Sequence, residues 1–255
     1  MVMPQFNNAR STATVGHQGQ SCATGVWIAL IILSIWLASL VWLLTTPLST
    51  STCLLIPVSV LGQTFLKTGL FITAHDAMHG VVYPSNLRIN HGLGAIAAYA
   101  YALFPYKQLV RKHWLHHRYP ECALDPDFHN GRDSRFIPWY LNFMGKYWSW
   151  QQFTGLAITV GGISYLGQIC PLNLLLFWAL PLVLSSLQLF YFGTFLPHRG
   201  VKGRHYQPYQ NPNKKLTWLV SLLTCYHFGY HHEHHTYPQV PWWQLPQVAA
   251  RFNLA

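Results

Sequence analysis

Acidic side chains are the scarcest chemistry in this 255-residue sequence: six Asp and Glu together, against sixteen Lys and Arg. Charged residues of both signs make up only 9% of it, where a soluble domain averages about 25%. That excludes a chain that shows its whole surface to water. The shortage also excludes a metal site of the carboxylate-rich kind, in which bundle helices contribute Glu and Glu-x-x-His. The basic excess has none of the dense Lys/Arg runs of a nucleic-acid-binding surface, so nucleic acid is not an expected partner. The excess fits the positive-inside bias of membrane proteins or the docking of an acidic protein. Cysteine is sparse and odd in number (Cys22, Cys53, Cys122, Cys170, Cys225), and no two form a C-x-x-C pair. This argues against a disulfide framework or a zinc ribbon. No internal repeat is present.

What the chain does have is long apolar runs. Residues 1–25 are polar and read as a flexible tail; 26–255 read as a single domain. Val26–Thr46 carries no charged residue, enough as a helix to cross a bilayer core of ~30 Å. Cys53–Thr73 is a second apolar run, broken by Gln63 and Lys67. His91–Phe104 is apolar but too short to span, as expected of an interfacial or buried helix. Phe153–Ile169 and Leu172–Leu196 are apolar again, with a turn expected at Cys170-Pro171. The expected architecture is all-α: a multi-pass membrane protein of four transmembrane helices in two hairpins. The polar, basic segments 106–150 and 199–215 then form a helical cap on the cytosolic side of the cell membrane.

Histidine is the other abundance, with fifteen residues. HDAMH places His75 and His79 four apart, on one face of a helix. HWLHH places His113, His116 and His117 at i, i+3, i+4, and HHEHH repeats that spacing with His231, His234 and His235. His227 would extend the last stripe by one turn, and His198 closes the fourth apolar run. All lie on the same expected side of the membrane. Neutral imidazole suits Zn, Cu, Fe and Ni. Structural zinc usually recruits cysteine, and nine or ten imidazoles are too many for one ion. An all-nitrogen pair of iron ions uses them and leaves positions open for O₂. Asp76, Asp125, Asp127 and Glu233 adjoin the boxes as candidates to orient metal-bound histidines.

The pattern resembles the membrane fatty-acid desaturase and hydroxylase superfamily, defined by three histidine boxes. HDAMHG at 75–80, KHWLHH at 112–117, DPDF at 125–128, YFGTFLPHR at 191–199, CYHFGYHHEHH at 225–235 and PWWQLP at 241–246 are similar to its β-carotene 4-ketolase branch, particularly the cyanobacterial members. One stretch departs from the branch: RYPECALDPDF stands where Pro-Gly-Thr more often precedes Asp-Pro-Asp. The resemblance implies an O₂-dependent oxidation of the C4 methylene of β-ionone rings, with β-carotene and related carotenoids as substrates and a ferredoxin-type protein as electron donor. It implies His75, His79, His113, His116, His117, His198, His231, His234 and His235 as iron ligands. Asp76, Asp125 and His227 would support the site, His227 as ligand or behind the ligands. A carotenoid tunnel would be lined by residues such as Phe104, Leu109, Trp139, Tyr140, Phe190 and Phe195. Alternatives are a carotenoid ring hydroxylase or fatty-acid desaturase of the same superfamily, and, from a different class, a histidine-rich metal transporter.

Overall fold

The computed structural model describes residues 23–49, 54–129, 131, 133–199 and 217–252, and among these all regular structure is helical. The helices are α1 (Thr24–Thr45), α2 (Ile56–Met78), α3 (Leu87–Ala102), α4 (Tyr106–Arg118), α5 (Phe136–Tyr147) and α6 (Trp150–Leu166). They continue as α7 (Pro171–His198), α8 (Trp218–Cys225), α9 (His231–Thr236) and α10 (Leu245–Phe252). Most of the polar tail and the basic stretch 200–215 lie outside the described residues.

Among the described residues, three helices are long and apolar enough to cross a membrane: α1, α2 and α7. The fourth expected crossing forms the 17-residue helix α6, which is not among them. The short apolar run at 91–104 becomes α3, which packs along α2.

Helix ends follow local chemistry. Pro57 lies in the first turn of α2, where its missing N–H would have had no partner. The side chain of Asn86 accepts from the N–H groups of Arg88 and Ile89 and starts α3. α7 contains two π-turns, Leu175–Ala179 and Tyr191–Phe195, each followed within two residues by a proline, Pro181 and Pro197, that donates no hydrogen bond to the preceding turn.

An apolar surrounding requires every backbone carbonyl to find its donor inside the protein. The C-terminal end of α3 shows how such donors are found. Phe104 N–H donates to Ala98 O and Leu103 N–H to Tyr99 O, with Leu103 in the left-handed conformation. Of the carbonyls left over, Ala100 and Tyr101 accept from Lys67 Nζ at 3.4 and 2.8 Å. Lys67 is fully buried within α2, its Nζ lying over the rings of Trp178, Trp36 and Tyr101. The break in the second apolar run is thus the cap of α3. In the same manner Asn173 Nδ2 donates to the carbonyls of Leu43, Leu44 and Thr46, closing the end of α1 from α7. Asn90 fixes the turn after α2: its Nδ2 donates to Ala77 O, and its Oδ1 accepts from Val82 and Tyr83 N–H. These anchors hold the end of α2, where His75 and His79 lie, at one set height and rotation.

Replacing Lys67 by Met keeps the length of the side chain and leaves Ala100 and Tyr101 without their donor. The expected cost is about 1–3 kcal/mol, read as a lower melting temperature of the detergent-purified protein; an unchanged midpoint would contradict the capping role.

Candidate metal centre

Four separate pieces of chain bring nine imidazoles together: the end of α2, α4, the last residue of α7, and α9. His75, His79, His113 and His234 form one group, and His116, His231 and His235 a second; within each, one ring nitrogen per residue lies within 4.8 Å of the others. His117 and His198 lie beside them. His117 Nε2 is 3.0 Å from His234 Nε2, and its ring stacks on His235. His198 Nε2 is 3.1 Å from His231 Nε2. The remaining Nε2–Nε2 separations are 2.7 Å for His79–His113, 3.2 Å for His116–His231 and 2.9 Å for His116–His235. The i, i+3, i+4 spacing divides: α4 turns His113 and His117 toward the first group and His116 toward the second.

Carboxylates set which nitrogen faces inward. An ionised carboxylate can only accept, so the imidazole nitrogen against it carries the proton and the other ring nitrogen is left with a lone pair. His116 Nδ1 donates to Asp125 at 2.9 Å, His75 Nδ1 to Asp76 at 3.2 Å, and His198 Nδ1 to Glu121 at 2.9 Å. The carboxylates are themselves held: Asp125 accepts from the N–H groups of Glu121 and Asp127, and Asp76 accepts from Trp242 N–H at 3.0 Å, which ties the Pro-Trp-Trp segment to α2. Glu121 was not among the sequence candidates. The signal for it lay in the departing stretch RYPECALDPDF, where the second residue after Tyr119 brings a carboxylate in place of a small residue.

Burial keeps these imidazoles neutral, the form that binds metal. It pushes His79 down to about 3 and His117 to about 2, and holds His113, His231, His234 and His235 well below the usual histidine range, with neighbouring imidazoles adding to the effect. His116 is the exception. Burial opposes its charged form, but Asp127 and Asp125 outweigh it and raise its pKa.

The donor set fits metal ions. Imidazole nitrogens bind first-row ions at ~2.1 Å, which puts neighbouring donors on one ion roughly 3 Å apart, close to the separations seen here. His75 Nε2, His79 Nδ1 and His231 Nδ1 are buried without a hydrogen-bond partner, and buried polar atoms are rarely left so. For His75 Nε2, turned inward by Asp76, an ion among its three neighbours would supply the missing partner.

His227 is not brought in. Tyr226 and His227 both have positive φ, at 49° and 60°, so the helical stripe expected to run from His227 to His235 is broken between α8 and α9. His227 Nδ1 contacts Ser221 Oγ at 3.0 Å, and the rings around it are Trp218, Tyr230 and Trp242. Glu233 also remains apart, with Oε2 buried and unpartnered.

One wall of the centre faces an apolar cavity. His75, His113, His116 and His231 share its lining with Phe71, Met78, Tyr101, Phe104, Leu109, Phe143 and Phe228. Of the six residues expected along a tunnel, Phe104 and Leu109 line it. Trp139, Tyr140, Phe190 and Phe195 pack on one another instead, in an aromatic cluster joining α5 to α7.

Comparison with known proteins agrees with this geometry. The family model for fatty acid desaturases matches residues 49–168 and 143–253. A β-carotene ketolase of Paracoccus sp. (strain PC1) is 41% identical over 87% of both chains. Another, from Paracoccus sp. (strain N81106 / MBIC 01143), is 43% identical over 76% of this chain and 79% of its own. A zeaxanthin 4-ketolase of Chlamydomonas reinhardtii is 40% identical over 87% of this chain, which spans 50% of that longer protein. No solved structure matches. The chain belongs to the fatty acid desaturase family and, within it, to the carotenoid ketolases.

Two outcomes follow from the geometry. His116→Ala or His234→Ala should weaken divalent-metal binding by at least about tenfold, while His232→Ala, which belongs to neither group, stays near the parent; equal loss in all three, by metal analysis of purified protein, would refute the grouping. The second concerns acid. Unfolded histidines take up protons near 6.5, whereas folded His79 and His117 do so only near 3 and 2. The unfolded state therefore binds more protons below pH 6.5, and stability is lost as pH falls; His116, raised, contributes in the opposite sense. Metal-free protein should melt progressively earlier from pH 6.5 to 5, and a flat profile would show that the imidazoles are not held neutral.

Proposed function

We propose that the chain is a carotenoid 4-ketolase carrying two irons, which converts the C4 methylene of the β-ionone rings of β-carotene to the ketone, giving echinenone and then canthaxanthin. The observation that carries this reading is the pair of all-nitrogen clusters set in the wall of an apolar cavity, in a chain of the ketolase family.

His75, His79, His113, His117 and His234 would hold one ion, and His116, His198, His231 and His235 the other. Iron bound there supplies the oxidising power to break an allylic C–H bond with O₂ and two electrons per round. Each round places one oxygen atom on C4 and releases the other as water. Two rounds at one carbon give a geminal diol, which loses water to leave the ketone. The protein's part is placement: Phe71, Tyr101, Phe104 and Leu109 take the apolar ring, exclude water, and present one carbon to the histidine-lined wall. Asp127 is the carboxylate of that wall. Burial raises its pKa, Tyr147 donates to it, and its Oδ2 is 3.9 Å from His116 Nδ1.

A substrate that partitions into lipid suits a site entered from a bilayer. α6 would complete four crossings: at 1.5 Å per residue its 17 residues reach roughly 25 Å, and Phe153, Ile158, Tyr165 and Leu166 are exposed along it. The centre then sits on the cytosolic face of the cell membrane. Lys107, Arg111 and Arg118, exposed on the helix that carries the second box, would favour an acidic electron donor such as a ferredoxin.

Expression in a β-carotene-producing bacterium should convert most of the pigment to 4-keto products, resolved by chromatography. Unchanged β-carotene, or 3-hydroxylated rings alone, would overturn the assignment, the latter in favour of a ring hydroxylase.

A further inference from the structure

Glu121 stands in an unfavourable backbone conformation, with φ at +62°. A side chain there costs stability that glycine avoids, and such outliers often mark function. The left-handed turn does two things at once. Its backbone N–H donates to Asp125 Oδ2 at 2.9 Å, and Asp125 orients His116. Its side chain, itself largely shielded, accepts from His198 Nδ1 at 2.9 Å. His116 and His198 present Nε2 to the same nitrogen, His231 Nε2, at 3.2 and 3.1 Å. A single residue between the second box and Asp-Pro-Asp therefore serves two histidines of the second group, one through its main chain and one through its carboxylate.

We propose that Glu121 is a positioning residue for one of the two metal sites: its carboxylate fixes the tautomer and pose of His198, and the strained turn is retained because it delivers that carboxylate. His198 is the last residue of α7, and beyond it the chain turns extended at Arg199, so the helix alone does not hold its ring. The inference rests on the di-iron reading and deepens it to one residue.

The test separates pose from fold. Glu121→Gly keeps the N–H to Asp125 and removes both the carboxylate and the backbone strain; Glu121→Gln keeps an oxygen that can accept from His198 Nδ1. In metal-free detergent-purified protein, Glu121→Gly should melt at or above the parent temperature. Yet in Fe²⁺ titration and chelator competition one of its two irons should bind about tenfold or more weakly, while Glu121→Gln stays within about threefold of the parent. On a His198→Ala background the Gly substitution should have no further effect on iron. Opposite movement of stability and iron retention is what a purely structural residue would not give. Parent-like retention of both irons in Glu121→Gly overturns the inference and leaves the di-iron reading standing. So does a parallel loss of stability and of both irons. A parent protein that binds no iron overturns that reading, and this inference with it.

Discussion

The hydrogen bond from imidazole Nδ1–H to a buried carboxylate is the constraint on which the rest depends. A histidine has one lone pair to offer only while its other nitrogen holds the proton, and in a dry interior nothing but a fixed acceptor decides which nitrogen that is. Asp125, Asp76 and Glu121 make that decision for His116, His75 and His198. The sequence has six acidic residues, and three of them are spent in this way. Its poverty in carboxylate is thus selective: the acids are withdrawn from the ligand set and retained behind it.

Convergence of side chains from α2, α4, α7 and α9 also needs a floor that does not shift. In an apolar environment the helix ends are the weak points, since unpaired carbonyls there have no water to turn to. Lys67, Asn90 and Asn173 meet that need from neighbouring helices. Polar residues in apolar runs could be taken for parts of a transport path. Here their donors end on backbone carbonyls, and their effect is to lock α1, α2, α3 and α7 into one frame. His75 and His79, within a turn of the Asn90 anchor, inherit its rigidity.

How far the sequence revealed this depends on the range of the interactions. Spacing within one helix is local, so i, i+3, i+4 histidines were legible as facing sets, and the apolar runs were legible as α1, α2 and α7. The stripe through His227 failed because two consecutive left-handed residues, Tyr226 and His227, end the helix, and the one sequence signal for that break, Gly229, lies two residues further on. The tunnel residues Trp139, Tyr140, Phe190 and Phe195 failed because composition says that an aromatic is buried, not against what. Glu121 was missed because its partner is 77 positions away. Only its oddness, a charged residue in the turn before Asp-Pro-Asp, was visible.

The metal centre and the cavity cannot be varied independently, and Gly193 shows why. It lies in the second π-turn of α7, five residues before His198. A Cβ there would come within 2.1 Å of the Phe228 ring, so the helix and that ring are in contact as closely as backbone allows. Phe228 in turn lies edge-on to His75 at 5.0 Å and to His231 at 6.0 Å, one ring from each metal group, and lines the cavity. Enlarging the cavity at this end would release both histidines, and filling it would displace them. Adaptation to different ring substituents must therefore act at the other walls, around Phe71, Phe143 and Ser186, where the lining carries no ligand. The second π-turn of α7 thus carries both contacts of this end: Gly193 against Phe228 and, just beyond it, His198 at 3.1 Å from His231.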